Sequence, residues 1–199
     1  MYAKYVKRLF DILLSLLGMP LLALILLIFA PIIHFTDRGP VFYNAPRLGR
    51  NGSVFKMFKL RSMRVNAPDI RLEDGSTYNG ADDPRVTKVG RFLRKTSLDE
   101  SPQILNVLKG DMSVVGPRPD LPEHKALYEG DEIEKLRVRP GITGYSQAYF
   151  RNNIEWKERL KNDVYYARNV RFGFDVRIFL QTVASVLLRK NIFVEKNDQ

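Results

Sequence analysis

The stretch ILLSLLGMPLLALILLIFAPII, from Ile12 to Ile33, runs for 22 residues without a charged side chain. As an α-helix it would extend about 33 Å, which is close to the thickness of the hydrocarbon core of a bilayer. This stretch therefore predicts a helix that enters a membrane. The side of the membrane on which the remaining chain lies depends on whether the helix crosses the bilayer or turns back.

Basic residues flank the apolar stretch on both sides. Lys4, Lys7 and Arg8 precede it. Between the stretch and residue 64 there is one acid, Asp37, against these basic residues: Arg38, Arg47, Arg50, Lys56, Lys59, Arg61 and Arg64. Because cytoplasmic flanks of membrane helices carry the excess of Lys and Arg, both ends favour the cytoplasmic side.

Pro20 lies near the middle of the stretch and predicts a break in the helix at the membrane. Proline removes a backbone donor and clashes with the preceding turn, and Gly18 relaxes the backbone further. Ser15, one turn earlier, can bond to the backbone groups that a break frees. We predict a re-entrant helix hairpin that returns to the side from which it entered.

Two alternatives to the hairpin stay open. One is a transmembrane helix with a proline kink, since flanking charge is an imperfect guide to topology. The other is a signal peptide, which the length of the apolar stretch and the lack of a small-x-small cleavage site disfavour.

Composition fits a membrane segment, residues 1–38, followed by one domain, residues 39–199. The 199-residue chain, of 23.0 kDa, is long enough to bury a core. Its 32 Lys and Arg against 22 Asp and Glu give a net charge of +10, which favours nucleic acid, anionic lipid or phosphorylated substrates as partners. The absence of cysteine excludes disulfides, a thiolate nucleophile and cysteine metal sites.

Local patterns in residues 39–199 predict a predominantly helical α+β domain. A β-hairpin is expected between residues 41–43 and 53–60, with its turn at Asn51-Gly52. The polar residues 66–83 predict a mobile surface loop.

Helix start and stop signals locate four helices in this domain. The last two carry apolar faces bordered by Lys and Arg, which is typical of helices in a membrane interface, although packing on the domain's own core is the alternative. The predicted ranges are Asp83-Pro84 to about Lys95, about Pro102 to Lys109 with Gly110 as its end, 154–168 and 174–190.

Two adjacent carboxylates, Asp99 and Glu100, follow Ser97 at a predicted helix start. Ser97 and Glu100 have the spacing of a capping box, and in that interpretation both acids only complement the helix dipole. A helix N-terminus also favours an ionised carboxylate and attracts phosphate. An ionised Asp99 can bind a hard cation or attack phosphorus, so the pair is a candidate catalytic dyad.

Basic residues from several segments can surround this dyad. Arg94 lies five residues before Asp99, and Arg118 lies between two prolines that restrict its backbone, so its guanidinium fork can be held ready for phosphate oxygens. Residues that can extend the same cationic surface are Lys59, Arg61, Arg137 and Arg139. For each of them individually, a solvated place on a basic surface is the alternative.

Other chemistries find little support in the sequence. It has no Gly-x-Ser-x-Gly elbow and no Walker loop, and His34 and His124 lack metal-ligand spacing. Nucleic-acid binding lacks a recognisable helix-turn-helix or RNP motif.

Six motifs follow one another along nearly the whole chain: Lys7–Asp11, Phe58–Met63, Ser97–Glu100, Asn106–Ser113, Gly116–Pro119 and Arg139–Gly144. In this order they resemble the bacterial sugar transferases of the monotopic phosphoglycosyl transferase family, in the minimal form with only an N-terminal membrane segment. That family often has Ser-Pro at its membrane break, where this chain has Met19-Pro20.

The resemblance implies transfer of a sugar 1-phosphate from a UDP-sugar to undecaprenyl or another polyprenol phosphate, with release of UMP and initiation of a lipid-linked glycan. It places Asp99 as the nucleophile and Mg²⁺ ligand, and Glu100 as the residue that orients or assists the acceptor. The cations that would hold phosphate oxygens are Lys59, Arg94, Arg118 and Arg139.

The same resemblance implies a catalytic domain on the cytoplasmic face of the bacterial plasma membrane. Its partners would be the UDP-sugar, the polyprenol phosphate, membrane lipid and downstream glycosyltransferases, with no nucleic acid. The alternative is a membrane-anchored basic binding or scaffold protein of a glycan-assembly complex. The sugar, the polyprenol length, the glycan pathway and the oligomeric state stay open.

Overall fold

The computed structural model describes residues 2–70, 78, 80, 82–150 and 154–187. They form the predicted mostly helical α+β fold with a long apolar N-terminal helix and two small sheets. A π-helical turn, Tyr2–Val6, precedes the first helix. The helices are α1 Lys7–Asp37, α2 Lys88–Thr96, α3 Gln103–Lys109, α4 Tyr145–Tyr149, α5 Trp156–Arg168 and α6 Phe172–Leu187, and the strands are β1 Ala45–Leu48, β2 Val54–Met57, β3 Ser113–Val115 and β4 Gly141–Thr143.

Helix α1 is long and apolar enough to cross a membrane, and many of its large side chains are exposed. Leu17 and Leu27, for example, are 77% and 75% exposed. The helix contains Pro20 and remains helical through it, so this proline does not end the helix. The re-entrant path of α1 stays a prediction.

Both ends of α1 contact the same domain. Near its start, the Arg8 guanidinium donates to the carbonyl of Leu108, at 2.9 Å. At its end, Asp37 forms an ion pair with Arg61, at 2.6 Å. In between, Gly18 faces α3 so closely that a Cβ at this position would lie 2.9 Å from the Ile104 side chain. The helix therefore lies along the domain instead of extending away from it.

The predicted β-hairpin is confirmed. Strands β1 and β2 pair antiparallel from Ala45 opposite Met57 to Leu48 opposite Val54. The chain reverses at Asn51 and Gly52, both of which have positive φ angles, 58° and 77°. This conformation favours Asn and Gly because other side chains clash with the backbone there.

A connecting segment, Lys59–Ser62, continues from the hairpin and joins several parts of the domain. Leu60 is fully buried in a cluster with Ile25 and Ile33 of α1 and Leu93 of α2. Arg61 donates to the carbonyls of Ile33 and Pro40, at 3.2 and 2.6 Å, and so satisfies backbone groups at the end of α1.

Helix α2 starts later than predicted, and Asp83-Pro84 does not begin it. Thr87 is the N-cap, and its hydroxyl accepts a hydrogen bond from the Gly90 N–H at 2.9 Å. Asp83 is instead fully buried and forms an ion pair with Arg85 at 2.7 Å. Because the Asp83 carboxylate is bonded to Arg85, it does not cap a helix.

The predicted capping box at Ser97 and Glu100 is wrong. Ser97 has a left-handed conformation, with φ 58°, and its side chain caps neither the helix before it nor the turn after it. Its backbone closes α2 by donating to the carbonyl of Arg94. Residues Leu98–Glu100 then form a separate 3₁₀ turn.

Helix α3 ends at Gly110 as predicted, with φ 98° at that glycine. Its Asn106 is fully buried and bonds to the backbone beside β2. The Asn106 amide accepts from the Phe58 N–H and donates to the Lys56 carbonyl, both at 2.8 Å. This side chain therefore fixes α3 against the hairpin.

The predicted C-terminal helices are confirmed as α5 and α6. Helix α6 begins at Phe172, two residues before the predicted start, and residues 188–190 of the prediction lie outside the described residues. Val115, Ala148, Tyr166 and Ile178 form the buried cluster between these helices and β3. The interfacial location of both helices stays a prediction, and half of the residues of the predicted loop at 66–83 lie outside the described residues.

Candidate active site

The candidate dyad lies on the 3₁₀ turn between α2 and α3. The Leu60 N–H donates to the Asp99 carbonyl at 2.9 Å, which ties the turn to the connecting segment Lys59–Ser62. Asp99 is 2% exposed, whereas Glu100 is half-buried. One carboxylate is thus embedded in the domain and its neighbour is accessible from solvent.

Lys59 holds both carboxylates of the dyad. Its Nζ lies 2.7 Å from Asp99 Oδ2 and 3.5 Å from Glu100 Oε1. Burial opposes the charge on the ammonium, but the two carboxylates more than offset this effect, so the pKa of Lys59 lies above its usual value. The structure therefore places Lys59 at the dyad, and its role in binding substrate phosphate stays a prediction.

Arg118 approaches the exposed side of the dyad. Its terminal nitrogen is 3.9 Å from Glu100 Oε1, and its side chain is 42% exposed. Burial opposes ionisation of Glu100, but Lys59 and Arg118 outweigh it and lower the pKa of this carboxyl. Glu100 is therefore a carboxylate at neutral pH, and Arg118 keeps donors available to a ligand.

Arg94 lies on the α2 side of the dyad. Its Nε donates to the Ser62 hydroxyl at 2.9 Å, which places it against the connecting segment. Burial lowers the pKa of Arg94, and the nearby carboxylates of Asp99 and Asp83 oppose that shift. The guanidinium is thus half-buried close to Asp99, and its role in binding substrate phosphate stays a prediction.

The structure adds Arg47 of β1 to this cluster, although the sequence indicates it only as a basic residue that flanks the apolar stretch. Burial lowers its pKa and the neighbouring Arg118 lowers it further. Arg47 also contributes to the low pKa of Glu100. The hairpin signal could place Arg47 on β1, but no local pattern indicates that β1 lies beside residues 117–119.

Arg139 lies elsewhere, at the far end of α3. Its Nε donates to the Gly110 carbonyl at 2.8 Å, and its charged neighbours include Arg8 and Arg50. The seven residues of α3, about 10 Å of helix, separate this end from the dyad. The structure therefore does not bring Arg139 to Asp99, and its role in binding substrate phosphate stays a prediction.

Two further basic residues of the predicted cationic surface make contacts away from the dyad. Arg61 is 7% exposed and its donors satisfy the end of α1. Arg137 is 72% exposed and pairs with Glu134 at 3.1 Å. Neither of these contacts involves the dyad.

The dyad suits a Mg²⁺ ion that a substrate helps to hold. Among the residues that the structure describes, no group of three or more His, Asp or Glu side chains could enclose a metal. Mg²⁺ is usually bound through one or two carboxylates together with substrate phosphates. Asp99 and Glu100 can supply those carboxylates, and a diphosphate would supply the remaining ligands.

The structure thus defines a class of protein in which a carboxylate pair with basic neighbours lies in the same domain as a long apolar helix. The model of the bacterial sugar transferase family matches residues 2–189, and the chain belongs to this family. Its resemblance to bacterial sugar transferases is therefore confirmed.

Individual relatives cover the same region. The chain is 40% identical over 190 residues to the galactosyl transferase CpsE of Streptococcus agalactiae, an alignment that covers 92% of this chain and 42% of that protein. It is 37% identical over 198 residues to the exopolysaccharide production protein ExoY of Sinorhizobium fredii, covering 94% of this chain and 88% of the relative.

A third relative is the undecaprenyl-phosphate galactose phosphotransferase of Salmonella typhimurium. It is 37% identical over 206 residues, which cover 95% of this chain and 42% of that protein. The chain thus spans less than half the length of CpsE and of the Salmonella protein, and most of the length of ExoY.

Replacing Lys59 by Met should destabilise the protein by about 3–5 kcal/mol at pH 7, because the buried Asp99 carboxylate loses its ammonium partner. Thermal unfolding in detergent at pH 7 measures this loss. Lys56→Met, at an exposed position three residues earlier, should change the stability little; equal losses in the two variants would contradict the assignment.

Proposed function

We propose that the protein transfers a sugar 1-phosphate from a UDP-sugar to undecaprenyl phosphate and releases UMP, through a covalent intermediate on Asp99. The observation that carries this proposal is the buried carboxylate of Asp99, held 2.7 Å from Lys59 within a group of arginines. Such a group can attract a diphosphate and also present a nucleophile to it. The name of the Salmonella relative, which includes undecaprenyl phosphate and galactose, supports this acceptor and the transfer of a sugar.

In the first step, an Asp99 oxygen attacks the phosphorus that carries the sugar. The bond from this phosphorus to the oxygen bridging the two phosphates breaks, and UMP leaves with that oxygen and the bonding electrons. Asp99 then carries the sugar phosphate as a mixed carboxylic–phosphoric anhydride. A carboxylate paired with an ammonium, as Asp99 is with Lys59, can attack without a separate base to remove a proton.

The surrounding cations hold and stabilise the phosphates during this step. Arg118 has exposed donors that can grip phosphate oxygens as a fork, and Arg94 and Lys59 add charge close to the attacked phosphorus. When bound to Asp99 and the diphosphate, Mg²⁺ would neutralise the charge that develops on the leaving UMP. Stabilisation of this charge is the main contribution that proteins make to phosphoryl transfer.

In the second step, an oxygen of the lipid phosphate attacks the same phosphorus. The anhydride bond breaks, the Asp99 carboxylate is regenerated and the sugar is left on a lipid diphosphate. Glu100 lies at the accessible side of the dyad, between Lys59 and Arg118, and can orient the incoming phosphate through these cations. Since UMP leaves first, one cationic site can serve both phosphates in turn.

We further propose that α1 is a re-entrant anchor and that the active site faces the cytoplasm at the membrane surface. A straight helix of 31 residues would hold its ends about 46 Å apart. Both ends of α1 nevertheless contact one small domain, through Arg8 and Asp37. A helix that crossed the bilayer would carry one of these ends, with its partners, to the opposite side.

The reaction is tested by UMP release from the purified full chain in detergent with Mg²⁺, undecaprenyl phosphate and a panel of donors that begins with UDP-galactose and UDP-glucose. One donor should be turned over, and Asp99→Asn should lower the rate by at least about a thousandfold because the amide is not a nucleophile.

The matched control is Asp131→Asn, at an exposed carboxylate that pairs with Arg168, which should retain full activity. Release retained by Asp99→Asn would exclude Asp99 as the nucleophile. No release with any donor would favour a basic binding or scaffold protein.

The topology is tested by cysteine labelling, to which this cysteine-free chain is well suited. Ala3→Cys and Asn44→Cys place one thiol at an exposed position on either side of α1. In intact bacterial cells, both should resist a membrane-impermeant maleimide, and both should react after permeabilisation. Labelling of one thiol alone in intact cells would show that α1 spans the membrane.

A further inference from the structure

A buried carboxylate, Asp120, collects three donors directly after the segment that carries Arg118. Asp120 is 4% exposed. Its oxygens accept from Lys135 Nζ at 2.6 Å, Arg159 at 2.9 Å and the Tyr128 hydroxyl at 2.9 Å. Burial opposes ionisation of Asp120, but Lys135 and Arg159 outweigh it and hold the pKa of Asp120 well below its usual value.

Lys135 extends this contact to the active-site backbone. It is 2% exposed, and besides Asp120 it pairs with Asp163 at 2.7 Å. Its Nζ also donates to the carbonyl of Arg118 at 3.2 Å. The same ammonium therefore binds the side chain of Asp120 and the backbone two residues before it.

The carbonyl of Asp120 fixes the hairpin as well. It accepts a hydrogen bond from the Leu48 N–H at 2.8 Å. Arg47 directly precedes Leu48, and Arg118 precedes Asp120 by two residues. The hydrogen bond between Leu48 and Asp120 therefore brings the two segments that carry these arginines together. Both side chains are cationic and interact electrostatically, and this repulsion would separate them if they were unrestrained.

We propose that the Asp120–Lys135 ion pair is a positioning device that holds Arg118 and Arg47 side by side, and that Arg47 is a further ligand of substrate phosphate. Two neighbouring guanidiniums can together bind the several oxygens of a nucleoside diphosphate. Asp120 and Lys135 themselves are buried and do not touch substrate. This inference rests on the proposed function, since it assigns the two arginines to the donor's diphosphate.

Removal of one donor from Asp120 tests the positioning with little change in shape. Tyr128→Phe deletes the hydroxyl that bonds to Asp120, and its readout is the affinity of the full chain for UDP with Mg²⁺, measured by calorimetry. The matched control is Tyr166→Phe, which deletes a buried hydroxyl that bonds to Asp175 at 2.7 Å, away from the site. Tyr128→Phe should weaken UDP binding by about 3–10-fold and Tyr166→Phe by less than about twofold.

A double-mutant cycle separates positioning from general stability. In an Arg118→Ala background, Tyr128→Phe should change UDP affinity by less than about twofold, because the side chain through which it acts is gone. Asp163→Asn removes the second carboxylate that pairs with Lys135. It should likewise weaken UDP binding in the wild-type background and change it by less than about twofold in the Arg118→Ala background. Equal factors in both backgrounds, or an equal loss in Tyr166→Phe, would overturn the positioning role.

Arg47 is tested by the same measurement. Arg47→Gln should weaken UDP binding by about tenfold, whereas Arg50→Gln, an exposed arginine on the same hairpin, should change it by less than about twofold. Equal effects would show that Arg47 contributes only net charge. Protein that binds UDP but releases no UMP would contradict the proposed reaction alone, and protein that binds no UDP would contradict the phosphate site itself.

Discussion

The hydrogen bond from the Leu60 N–H to the Asp99 carbonyl joins the catalytic turn to the rest of the molecule. The residues on either side of it face different parts of the protein. Lys59 binds the dyad, Leu60 packs against α1, and Arg61 satisfies the end of that helix. The apolar helix α1 and the polar candidate site are therefore fixed to each other through three consecutive residues.

The cations around the dyad serve two purposes that depend on the same charge balance. Without substrate, Lys59 and Arg118 keep Glu100 ionised, and Lys59 neutralises the buried Asp99. A diphosphate brings its own negative charge into this cluster and competes with the carboxylates for the same donors. Lys59 would then bind Asp99 less tightly when the phosphorus is close to it. A carboxylate with a weaker ion pair is a better nucleophile, so this competition would favour attack.

Elements with local signals were predictable from the sequence. The hairpin follows from Asn51-Gly52, and the end of α3 follows from Gly110, because these residues adopt backbone angles that others avoid. The start of α2 was not predicted, because Asp83 pairs with Arg85 two residues away instead of capping the helix. A local pattern shows which residues could cap a helix. It does not show whether a candidate such as Asp83 forms another bond instead.

Candidate site residues could be predicted where they belong to sequence motifs. They could not be predicted where only tertiary contacts bring them to the site. Motif residues Asp99, Glu100, Lys59 and Arg118 do meet, but Arg139, from an equally clear motif, lies at the opposite end of α3. Residues such as Arg47 and Asp120 gain their positions from a hydrogen bond between β1 and the 117–120 segment. Such long-range pairing has no signature in the local sequence.

The proposed reaction depends on a covalent bond between Asp99 and the sugar phosphate. The most direct measurement is the mass of the intact chain after incubation with the donor that it turns over, without lipid acceptor and with rapid acid quenching. The account predicts an increase equal to one sugar phosphate, located on the peptide that contains Asp99 and lost when undecaprenyl phosphate is added. UMP release from a chain whose mass never increases, even at early times, would show direct transfer between the two substrates and contradict the account.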